Sequence, residues 1–122
     1  MVTRLPAGVR ALCAVADDGH QAILVNRDLP PAERLAALAH ELVHLERGGG
    51  CHRPGLHDRL RPLRAREEAQ VDRIVARRLV PLDLLEAWAA ARAEVGPVTT
   101  RDVADEFEVP LAVALEAMRQ VA

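Results

Sequence analysis

Leu38-Ala39-His40-Glu41-Leu42-Val43-His44-Leu45 is the stretch on which the reading of this chain turns. Residues four apart on an α-helix share one face about a turn apart, so His40 and His44 can present two imidazole nitrogens to a single metal ion. Glu41 lies beside them, and a carboxylate there can take a proton from a water held by the metal, so this order of residues carries chemistry as well as binding. A shuffled chain of the same composition would contain the motif about 2% of the time, so the surrounding pattern has to decide.

That pattern is helical on both sides of the motif. Pro31 suits a first helical turn and Glu33 complements the positive end of the helix dipole, while Gly48-Gly49-Gly50 relieves the left-handed position at the far end. Within it Leu35, Leu38, Leu42 and Leu45 recur at steps of three and four, which predicts an apolar stripe facing the core with the two histidines on a flanking face. Upstream, residues 9–26 alternate around Asp17-Asp18-Gly19, which predicts a β-hairpin; a short helix at 11–16 is the rival for its first arm. Downstream, residues 51–63 read as a loop, 64–80 as a second long helix stopped by Pro81, and 82–93 as a third with Leu84, Leu85 and Trp88 inward. Gly96-Pro97 breaks the chain again. Thr99 or Thr100 can cap a short helix holding Val103, Ala104 and Phe107, and Pro110 opens a last one with Leu111, Ala114, Leu115 and Met118 at helical spacing.

At 122 residues the chain has the length of one domain, 1–122, with a sheet and metal-bearing helices over about 1–81 and a helical subregion over about 82–122. Trp88 and Phe107 are its only aromatics and it has no Tyr, so the core is built from Leu, Val and Ala. A formal net charge of −2 gives no bulk electrostatic reason to expect nucleic acid or an anionic membrane as partner. Cys13 and Cys51 are too few for a disulfide framework, no N-terminal stretch reads as a secretory signal, and no apolar run spans a bilayer. The expectation is a cytoplasmic protein with two reduced, inert thiols.

Two imidazoles do not complete a catalytic zinc site, which normally has three protein ligands. The second helix offers Glu67 and Glu68. Glu68 has Asp72 four residues on along the same face, so Glu68 is the preferred third ligand and Asp72 the carboxylate that accepts a hydrogen bond from a ligand histidine. Glu67 lies about 100° around the helix, toward solvent.

Together these residues resemble the ImmA/IrrE-like metallopeptidases, small zincins found with phage and mobile-element regulators. The resemblance runs from Asn26 after a strand through the His40–His44 motif, then Glu68-Ala69-Gln70-Val71-Asp72, Leu79-Val80-Pro81 and the late segment Val103 to Val109 with Ala114 and Met118. It implies an α+β, mainly α, zincin-like fold, with a small N-terminal sheet, the motif helix packed on the Glu68 helix, and a helical C-terminal part. It also implies a zinc-dependent endopeptidase, in several relatives acting on a helix-turn-helix repressor. His40, His44 and Glu68 would hold Zn²⁺, Glu41 would activate water, and Asp72 would steady His40. The strand at 23–25 is expected to be an edge that pairs with an extended substrate. Two departures stand out: there is no Tyr for the oxyanion, leaving His52, His57 or a loop Arg, and Val43 stands where relatives often have Gly.

Other readings compete. A metzincin would need Gly and His where this chain has Arg47 and Gly50. His52 rivals Glu68 as third ligand, but a helix fixes geometry better than a glycine loop; Cys51 could occupy the metal's open position in a resting state. His20 and His57 read as surface residues. A zinc-binding regulator with little or no peptidase activity is the alternative function, and a helical domain without metal the plainest one. The helix, turn, helix cadence of 102–120 carries too little positive charge for DNA and suits core packing or partner docking, while Ala87 to Ala93 and the last helix equally suit self-association as a homo-oligomer.

Overall fold

The computed structural model describes residues 1–48 and 61–121. Among them the order is β1 (Val2–Thr3), β2 (Ala11–Val15), β3 (Gln21–Asn26), α1 (Pro31–Glu46), α2 (Arg61–Leu79), α3 (Leu82–Ala91), α4 (Thr100–Phe107) and α5 (Leu111–Val121). The fold is α+β and mainly helical, as expected.

The hairpin forms with Cys13 opposite Ile23 and Ala11 opposite Val25. Gly19 supplies the positive φ its turn needs, and Asp18 Oδ1 accepts a hydrogen bond from His20 N at 2.9 Å. β1 adds in parallel on the other side of β3, giving the order β1-β3-β2. This corrects the expectation for residues 23–25: they lie in the central strand, bonded on both sides, while β2 pairs with β3 alone among the described residues. Cys13 is likewise not the reduced thiol expected but is disulfide-bonded; the chain's other cysteine, Cys51, lies outside the described residues, as do His52, His57 and Gly49 and Gly50.

α1 is held on two sides. Ala37, Leu38 and Leu45 meet Ile23 and Val25 of the sheet, while Ala39 and Val43 meet Val71 and Val75 of α2. The buried arc therefore runs through Ala36, Ala37, Val43 and His44, and the expected leucine stripe is only half right: Leu35 is 50% and Leu42 41% exposed. Small residues at the helix seam let the backbones approach closely, and the longer leucines are left to the flanks. Burial of Val43, Val71 and Val75 contributes roughly 1.5–2 kcal/mol each as an upper estimate.

α2 begins at Arg61, so residues 61–63, expected as loop, are helical; a proline in the first turn, here Pro62, removes no intrahelical hydrogen bond. Pro81 separates α2 from α3, where Leu85 is buried and Trp88 packs on the C-terminal cluster but Leu84 is 56% exposed, against expectation. α4 starts with a capping box: Thr99 Oγ1 accepts from Asp102 N at 3.1 Å, and Asp102 Oδ2 accepts from Thr99 N at 2.9 Å. Its αL cap at Glu108 turns the chain into α5, which packs on α4 and on α2. Trp88 and Phe107 meet edge to face at 5.9 Å between ring centroids. No helix among the described residues is long and apolar enough to cross a membrane.

Candidate metal centre

α1 carries His40 and His44 one turn apart, with ring centroids 4.7 Å from each other, and α2 brings Glu68 up against both. Its carboxylate divides between them: Oε2 lies 2.8 Å from His40 Nε2 and Oε1 lies 2.9 Å from His44 Nε2. The first contact has hydrogen-bond geometry, whereas the second is a close approach that is not aligned as one. One ligand atom from each of the three residues lies within 4.8 Å of the other two. Two imidazoles and a carboxylate are a donor set of catalytic zinc, in the usual number of protein ligands. The two Glu68 contacts are shorter than the roughly 3.3 Å that tetrahedral zinc bonds of about 2.0–2.1 Å would set between donors, so opening those two contacts by a few tenths of an ångström brings them to the spacing an ion needs. The residues fit the metal.

The seam that positions this triad is apolar inside and charged at its margins. Val43 and Val71, both essentially inaccessible, lock α1 against α2, which is why His44, next in sequence to Val43, is itself buried. Arg47, just past the end of α1, donates to both oxygens of Glu67 on α2, at 2.6 and 3.1 Å, and Arg78 forks onto Glu46. Glu67 thus lies off the metal face, as its angular position predicted, but it is paired across the seam, a role with no signal in the local sequence pattern.

Glu41 approaches His40 from the other ring nitrogen, its Oε1 3.7 Å from Nδ1. Glu41 and then Glu68 raise the His40 pKa above the ordinary imidazole value, with burial opposing them. Asp72 stands close but is not hydrogen-bonded: its Oδ1 lies 3.9 Å from His40 Nε2, the nitrogen already facing Glu68. Partial burial, with the neighbouring Glu68 charge, raises the Asp72 pKa, and His40 counteracts it. His20 is exposed and is not part of this group.

Beside the triad runs a cleft of about 870 Å³, bounded by His40, Glu41 and Asp72, by residues 8–11 leading into β2, and by α4 and the turn into α5. Sequence reasoning did not find this wall: nothing in the spacing of Arg101, Ala104 or Val109 indicates that they face the histidine motif across the molecule.

The family model of the Peptidase_M78, IrrE N-terminal-like domain, matches residues 1–119. The chain belongs to that family. No curated protein and no solved structure matched it. For this M78-family chain, the match spans both helices of the His40, His44, Glu68 group and the C-terminal helices that wall the cleft, so a group that could hold a metal ion lies inside a metallopeptidase-like domain.

Proposed function

We propose that the chain is a zinc-dependent endopeptidase that hydrolyses a peptide bond in a protein substrate, with His40, His44 and Glu68 as the metal ligands and Glu41 as the general base. The observation that carries this reading is the convergence of Glu68 on both histidines with Glu41 on the wall of the adjoining cleft. Zinc in that place would supply Lewis acidity, making a water acidic enough to attack at neutral pH and polarising the scissile carbonyl. The Glu41 carboxylate oxygen then accepts the proton released by the attacking water and returns it to the departing amide nitrogen. His40 and His44 serve as neutral imidazoles, with Glu41, not Asp72, beside the His40 nitrogen that faces away from Glu68. The side of β2 that pairs with no strand among the described residues, and whose approach lines the cleft, is suited to hydrogen-bond the main chain of an extended substrate. A helix-turn-helix repressor is the substrate we favour, on the strength of the family resemblance.

Glu41→Gln tests the mechanism directly. It should keep zinc at the wild-type stoichiometry while lowering the hydrolysis rate by about 10²–10⁴-fold, the usual share of a positioned base. Hydrolysis that survives with zinc in place would refute the assignment. A wild type that holds zinc and cleaves nothing would favour the zinc-binding regulator instead.

A further inference from the structure

We infer that the cleft beside the triad is a side-chain pocket that selects a large apolar residue flanking the scissile bond, and that Ala36 sets its depth. The inference rests on the hydrolytic reading above. Because His40, Glu41 and Asp72 form part of the cleft wall, a polypeptide whose carbonyl reaches the triad from the Glu41 side lies along the cleft. Its occupant is thereby named by continuity with the site.

The floor is where three separate apolar clusters meet. Ala37 belongs to the cluster under the sheet, Val75 to the α1–α2 seam, and Ala104 and Val109 to the C-terminal helices, and each is buried yet borders the cleft. Ala36 is also buried and lines the cleft, but it belongs to none of those clusters. It stands one helical turn before His40, so a longer side chain at this lining position would extend into the space beside the triad. Small side chains at this meeting point leave room where larger ones would close the core. A charged or small polar side chain placed there would lose water without gaining a partner, whereas each added methylene removes apolar surface from water. Away from Glu41 and Asp72 on the triad side, the lining charges are Arg10, engaged by Glu33, and the exposed Arg101 and Asp105 on α4.

The test uses the zinc-loaded full chain and amino-acid hydroxamates, whose chelating group seeks the metal while a Leu, Gly or Asp side chain enters the cleft, prepared with the residue on either side of the chelating group. In one of the two series, wild type should bind the Leu compound at least about tenfold more tightly than the Gly compound, and the Asp compound no better than Gly. Ala36→Leu should erase that preference while zinc content and affinity for the Gly compound stay unchanged. Ala32→Leu, at a half-buried position one turn further from His40, should reduce it partially even if the deeper variant fails to fold. Equal affinity for Leu and Gly compounds in zinc-replete wild type would overturn the pocket and leave the metal site standing. A preference that neither variant moves would do the same. Failure to take up zinc would overturn both the pocket and the hydrolytic reading.

Discussion

His40 lies between two carboxylates, 2.8 Å from Glu68 and 3.7 Å from Glu41, and this placement sets the pH response of the metal-free protein. Its pKa in the fold is raised above the ordinary 6.5, chiefly by Glu41. A raised folded-state value means that the protonated imidazole adds stability fully present below about pH 6.5 and lost as pH rises through the raised value. The stability advantage of metal-free wild type over His40→Gln should therefore shrink as pH rises from about 6.5 through the raised His40 value, which thermal denaturation in chelator would follow. An advantage that grows over that window would contradict the arrangement. Zinc reverses the dependence, because it needs the neutral imidazole, so zinc affinity should rise over the same interval. Helical spacing put His40 and His44 on one face, and the structure brings Glu68 up to both, while the part proposed for Glu41 rests on the order of the motif. Spacing did less well at Asp72, whose position four residues after Glu68 gave the face but not the atom it would approach. Cys13 offered no spacing signal at all.

Among the elements, the α1–α2 seam fixes the site and the other contacts around α1 are secondary. Val71 is fully buried there, one turn after Glu67 and three residues after Glu68. Val71→Ala should lower stability by about 2 kcal/mol through lost burial and a small cavity, and weaken zinc binding as Glu68 loses its support. Leu35→Ala, at a half-exposed position, should change stability by no more than about 0.5 kcal/mol. Chemical denaturation of the two variants separates the observed packing from the leucine stripe suggested by periodicity, which would rank them the other way. Thr99→Ala should cost about 1 kcal/mol by removing the side-chain half of the capping box on α4. Element positions were readable because Pro, Gly and Thr mark ends by backbone chemistry that acts locally. Which face of α1 would be buried was not, since that depends on two partners at once, the sheet and α2, and on the alanines that let them come close. For the same reason the central place of β3 was hidden: a two-residue strand such as β1 leaves almost no pattern to read.

At the scale of the whole molecule, the triad joins two helices that are otherwise held together by valines and surface ion pairs, so metal binding and stability should be linked. Free zinc at about 100 times its Kd would stabilise the fold by about 2.7 kcal/mol, a rise in Tm on the order of 10 °C that chelation should reverse. The cleft exists only when α4 and α5 are folded against α2 and the start of β2 is held beside α1, which is why its lining could not be inferred from any local segment. The central claim is that His40, His44 and Glu68 form one metal site, and its most direct test is the metal content of gently purified wild type beside His44→Ala and Glu68→Ala. The account predicts near-equimolar zinc in the wild type and its loss in both variants with the fold retained. A wild type that carries no zinc and takes up none when it is added, or a Glu68→Ala variant that binds zinc as tightly as the wild type, would contradict it.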